Sequence, residues 1–138
     1  MNCKACVSIL GLVFLPISFV TSCGSSPAPP PPQVIAATGP GTTQATENGT
    51  PFPSPLQATV TAGGTGVPLA AVTFTVQAVA GASATFANGT DTETDMTSSS
   101  GVVFSSTLTA NTTAGSYTVV ATTPATTATP ATYTLTNN

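Results

Sequence analysis

Leu56-Gln57-Ala58-Thr59-Val60-Thr61 and Val72-Thr73-Phe74-Thr75-Val76-Gln77 decide the fold. Both alternate apolar with polar residues. Successive side chains of a strand point to opposite faces, so this rhythm gives one greasy face and one wet face. Leu56, Ala58 and Val60 share the first apolar face; Val72, Phe74 and Val76 share the second. Thr and Val, stiffened by branching at Cβ, and aromatic Phe also suit pleated backbone. Between the two runs, Gly63-Gly64-Thr65-Gly66 supplies a turn.

Working outward, the same pattern recurs. Toward the N-terminus a strand is expected around Val34–Ala37. Toward the C-terminus Ala84 and Phe86 begin a short run closed by Asn88-Gly89. Thr92, Thr94 and Met96 share one face of the next strand, and Ser98-Ser99-Ser100-Gly101 turns the chain. Phe104 and Leu108 are expected inward on one further strand. Tyr117, Val119 and Ala121 line another, and Tyr133 and Leu135 the last. No helical period follows residue 33. Short strands at this spacing, in about 105 residues, give an all-β fold. The expected architecture is a single immunoglobulin-like β-sandwich domain of about seven or eight strands over residues 34–138.

The N-terminus reads differently. Met1-Asn2-Cys3-Lys4 precedes a mostly apolar run, Ala5 to Val20, which ends in Thr21-Ser22-Cys23. A basic start, an apolar middle and a small-residue exit make a secretory signal. The run is too short for a membrane span of about 20 residues and contains Pro16. Val20-Thr21-Ser22-Cys23 resembles a bacterial lipobox. The resemblance implies that residues 1–22 are a lipoprotein signal peptide and that Cys23 is acylated and becomes the first mature residue. Gly24-Ser25-Ser26 lacks the Asp that favours inner-membrane retention in such proteins, which favours the outer membrane where one exists. Cys3 and Cys6 fall in the removed segment, so no cysteine is left for a disulfide.

Residues 23–33 form a lipid-anchored linker. Gly-Ser-Ser-Pro-Ala-Pro-Pro-Pro-Pro-Gln follows the anchor. Its prolines favour an extended helix, and ten residues at about 3.1 Å each reach roughly 30 Å. This reads as a spacer rather than as a ligand for proline-binding pockets.

Charge narrows the function. Only 4% of the chain is charged, and the sole basic residue is Lys4. Residues 23–138 hold Glu47, Asp91, Glu93 and Asp95 against no Lys or Arg, a formal charge of −4. No basic patch exists to contact phosphates, so nucleic acid is excluded as a partner. There is no His, and the free Cys, Lys and Gly-x-Ser-x-Gly signals of an activated nucleophile are missing from the mature chain, whose one Cys, Cys23, would carry lipid. The reading is of a non-enzyme, with no catalytic residue and no cofactor. Asp91-Thr92-Glu93-Thr94-Asp95 is the one charge cluster. It fails as an EF-hand, because Met96 stands where Gly is needed and Val102 where Glu is needed. On a strand its carboxylates lie about 6.6–7 Å apart, too wide to converge easily on one ion. The expected role is an outward acidic face that discourages edge-to-edge pairing. Asn48-Gly49-Thr50, Asn88-Gly89-Thr90 and Asn111-Thr112-Thr113 fit the N-glycosylation pattern and read here as turns.

Several local patterns together resemble the bacterial immunoglobulin-like domain of group 1, the invasin/intimin type. They are Ile35-Ala36-Ala37, Gln44 and Phe52-Pro53-Ser54-Pro55-Leu56-Gln57; Gly66-Val67-Pro68-Leu69-Ala70-Ala71-Val72-Thr73-Phe74; Gly101-Val102-Val103; and Leu108-Thr109-Ala110 with Ala114-Gly115-Ser116-Tyr117-Thr118-Val119. The family often carries Asp in turns where Ala62 and Ser98 stand here. Gly66 and Gly101 fall where turns favour positive φ, and Pro68 suits a strand start. Tyr117 reads either as the tyrosine corner of other sandwiches or as a plain core aromatic. The resemblance implies a non-catalytic envelope module with a structural or adhesion role, held to the membrane by lipid on Cys23. Another envelope protein or a glycan is the candidate partner. The alternative is a glycan- or cell-wall-binding module acting through loops such as Thr123–Pro130.

Overall fold

A computed structural model describes residues 28–124 and 129–138. The expected signal segment 1–22, the expected lipidation site Cys23 and the first part of the expected linker lie outside these residues. Ala28–Pro32 are exposed and belong to no strand.

The described chain is an all-β sandwich. Its strands are β1 (Gln33–Thr38), β2 (Thr43–Thr46), β3 (Gln57–Ala62), β4 (Thr65–Gly66), β5 (Ala71–Gln77), β6 (Ala84–Thr85), β7 (Thr92–Met96), β8 (Val102–Phe104), β9 (Thr109–Ala110), β10 (Gly115–Thr122) and β11 (Ala131–Asn137). Eight have three residues or more, which matches the expected count. The other three are two-residue fragments. One sheet holds β1, β3, β4 and β8; the other runs β2-β11-β10-β5-β7; β6 and β9 form a small ribbon. The chain changes sheet between β1 and β2 through a 3-10 turn at Pro40–Thr42. β2 then pairs parallel to β11, while the other ladders are antiparallel.

The alternation works as expected in the decisive strands. Leu56, Ala58 and Val60 are fully buried from one sheet, facing Val72, Phe74, Val119, Ala121, Tyr133 and Leu135, equally buried, from the other. Phe74 centres the aromatic core, with its ring 6.4 Å from Phe86 and 6.1 Å from Tyr133. Both tilted pairs lie in the favourable range for edge-biased packing. Tyr133 also ties the sheets together: its hydroxyl donates to the Gln57 carbonyl at 2.6 Å.

The structure corrects four expectations. Phe104 does not face the core; it is 55% exposed, and Val103 is buried in its place. The run Phe104–Leu108 is not one strand. The chain crosses between sheets at Ser105 and Ser106, which resets the two-residue parity, and Leu108 is buried on its own account. Pro68 lies in a turn ahead of β5 rather than at a strand start. Gly101 does adopt positive φ (79°), but Gly66 does not. Gly66 is required by close approach instead, since a Cβ there would overlap the Ser100 carbonyl.

Candidate functional site

An open cleft of about 350 Å³ lies at one pole of the sandwich. It is lined by Gln33, Val67–Ala71, Thr123 and Pro124. Gln33 opens β1, so the proline-rich segment enters the domain at this same pole. The C-terminus leaves at the other pole, where the Asn48 amide donates to the Asn138 carbonyl at 3.1 Å and the Asn138 amide to Thr46 at 2.9 Å.

One buried threonine builds the wall of the cleft. Thr97, 2% exposed, donates its hydroxyl to the Val67 carbonyl at 2.6 Å and accepts from the Ala70 amide at 2.9 Å. Its backbone carbonyl takes the Leu69 amide at 3.0 Å, and its amide bonds the Ala70 carbonyl at 3.0 Å. This clamp holds Leu69 at φ 55°, a conformation costly for a branched side chain. Leu69 is consequently displayed, 79% exposed. Sequence reasoning missed Thr97, because an isolated Thr in a Thr-rich chain carries no signal. Gln33 places Oε1 in a buried position on the cleft wall, with no hydrogen-bond partner among the described residues. Of the expected binding loop Thr123–Pro130, Thr123 and Pro124 line the cleft, and residues 125–128 lie outside the described chain.

The acidic cluster is arranged otherwise than expected. β7 is the edge of its sheet, and Glu93 and Asp95 stand opposite Phe74 and Val72 in the ladder with β5. Directly opposite residues share a face, so both carboxylates sit on the core side of the sheet. The outward positions are Thr92, Thr94 and Met96, and the Thr73 and Thr94 hydroxyls lie 2.8 Å apart on that side. Glu93 accepts the Ser106 amide at 2.8 Å. The neighbouring Ser105 hydroxyl accepts the Leu56 amide at 3.0 Å, so the acid supports the crossing between sheets. Burial raises the Asp95 pKa, and the Glu93 charge raises it further. Asp91 lies ahead of the strand and is exposed. Among the described residues no group of three acids, His or Cys converges on a point. The edge is still guarded, but by inward rather than outward charge.

The opposite pole carries a buried polar network. Asn137, 2% exposed, accepts the Tyr117 hydroxyl at 3.0 Å. Its amide donates to the Ser83 carbonyl at 3.0 Å, to Asn111 Oδ1 at 3.0 Å and to the Thr113 carbonyl at 3.2 Å. Tyr117 thus bonds a side chain of the adjacent strand, which is not the backbone bond of a tyrosine corner. Burial pushes its pKa up to about 12, with the Asn137 bond opposing. Asn88 and Asn111 each accept the amide two residues on, at 2.9 and 3.1 Å, as turn residues do.

No protein-family model and no curated protein matches this chain.

Proposed function

We propose that the chain is the precursor of a bacterial envelope lipoprotein. It displays one non-catalytic immunoglobulin-like domain, with a structural or adhesion role. Cys23 carries the lipid, residues 24–33 space the domain from the membrane, and the outer membrane is the favoured site. The observation that carries this reading is the order of parts along the chain. Val20-Thr21-Ser22-Cys23 is followed in the sequence by a proline tract whose described residues are exposed and run directly into β1 at one pole. The resemblance to the group 1 bacterial immunoglobulin-like domain supports the same role. The polar residues of the far pole, Asn111, Asn137 and Tyr117, are occupied in holding turns together, which fits a scaffold. Photochemical cross-linking in intact cells tests the role, because no Lys follows the signal for amine reagents. Adducts with an envelope protein support it; adducts with lipid alone contradict it.

A second reading, a glycan- or cell-wall-binding module, is favoured by the cleft, where an exposed Leu69 stands beside the buried carbonyl of Gln33. Its location beside the stalk would turn it toward the membrane and the wall. Cell-wall pull-down that is lost with Leu69→Ser supports this reading, and retention of a wild-type signal by that variant counts against it.

A further inference from the structure

The free edge of β1 is unlike the other edges of the sandwich. Val60 donates its amide to the Gly101 carbonyl, at 2.8 Å, and accepts the Val67 amide, at 2.9 Å, so its backbone groups point away from β1. Ile35, opposite Val60, is therefore in a non-hydrogen-bonded pair. By the alternation of the ladder, Val34, Ala36 and Thr38 bond β3, while Gln33, Ile35 and Ala37 direct their N–H and C=O groups outward. No backbone partner for those three occurs among the described residues. β1 has six residues and no charge. The opposite sheet's edge at β7 has two inward carboxylates, its other edge at β2 has only four residues, and β8 and β4 have only three and two. Long uncharged edges are templates for another strand.

We propose that this edge pairs with the β1 edge of a second copy, antiparallel and about a two-fold axis at Ile35. In this register Gln33 faces Ala37 of the second copy, and the outward groups of Gln33, Ile35 and Ala37 are satisfied reciprocally. Val34 stands opposite Ala36 on the solvent face, where both are exposed. Parity requires that like faces meet, since a one-residue slip would turn Ile35 out of the core. Charge permits the same partner: every acid of the mature chain lies outside β1, so two negative domains meet here without apposing carboxylates. Pairing consumes both free edges and closes as a dimer rather than a fibre. Pro29–Pro32 stop the ladder at its N-terminal side.

The test uses the full chain with Cys3, Cys6 and Cys23 replaced by Ser. Copies carrying Val34→Cys are mixed with copies carrying Ala36→Cys and oxidised. The mixture is expected to cross-link severalfold more than either variant alone or than Ala45→Cys, which sits exposed on β2. Ala37→Pro removes an outward amide without touching the β1–β3 ladder and is expected to abolish the cross-link. Val34→Glu with Ala36→Glu, on the solvent face, should make sedimentation monomeric and leave the circular dichroism of the fold intact. A mixed cross-link no greater than the Ala45 control, or a folded double-Glu variant that stays dimeric, overturns the proposal.

Discussion

The hydroxyl of Tyr133 reaches across the sandwich to the carbonyl of Gln57, 2.6 Å away. β11 and β3 belong to different sheets, so this bond fixes their spacing where only dispersion and burial otherwise hold them. Tyr133→Phe keeps the ring against Phe74 and leaves the Gln57 carbonyl without that donor. The expected loss is about 1–2 kcal/mol in urea unfolding. An unchanged midpoint would show the bond to be idle.

Both core tyrosines resist ionisation, because their phenolates would be stranded away from water. Tyr117 is pushed up to about 12, and Tyr133 is raised above the ordinary value of 10.0 by burial. A folded pKa above the unfolded one stabilises below the unfolded value and ceases to do so as pH rises through the folded value. Ultraviolet titration should show no phenolate near pH 10, and then ionisation together with unfolding. Smooth titration of either ring near pH 10 would contradict the burial.

Asp95 has a raised pKa, first from burial and then from Glu93. Its proton is therefore held more tightly when folded, and its contribution to stability grows as pH falls toward the ordinary value of 3.8. Asp95→Asn should raise the melting temperature at pH 7, with the advantage over wild type shrinking on acidification. Glu93→Gln should behave differently, because it weakens the charged bond to the Ser106 amide. A lower Asp95→Asn midpoint at pH 7 would refute this assignment.

Asn137→Leu should be among the most damaging single changes at a polar position. It removes the partner of the buried Tyr117 hydroxyl and the donor to the Thr113 carbonyl, and puts an apolar chain among polar groups, although Asn111 Oδ1 keeps the Thr113 amide and the Ser83 carbonyl keeps the Asn111 amide. The expected cost is about 3 kcal/mol. Adding Tyr117→Phe should restore part of it, and a double-mutant cycle measures the coupling.

Leu69 is held in left-handed backbone by the Thr97 clamp. Leu69→Gly should stabilise the fold by about 1 kcal/mol, because glycine takes this conformation without strain. Thr97→Val keeps the volume but leaves the Val67 carbonyl and the Ala70 amide unpaired, so it should destabilise by about 2 kcal/mol. Thermal melts of the two variants, moving in opposite directions, check the pair.

The core was legible because its signal is local. Leu56-Gln57-Ala58-Thr59-Val60 and Val72-Thr73-Phe74-Thr75-Val76 each state their own inward face, and those faces are buried. Phe104 was misread because parity is a property of one strand, and the crossing at Ser105 begins another. The acids of β7 were misread for a related reason. Thr92, Thr94 and Met96 look like an inward face beside acids, but register against Val72 and Phe74 sets the opposite face inward. That register is a long-range fact. The cleft was only half legible: Thr123 and Pro124 lay in the expected loop, whereas Thr97 and Gln33 come from separate strand ends that only the fold brings together.

The account turns on Cys23. Mass spectrometry of the mature protein purified from bacterial membranes is predicted to find a chain that begins at Cys23 and carries added acyl mass. An unmodified N-terminus, or one downstream of Cys23, would contradict it.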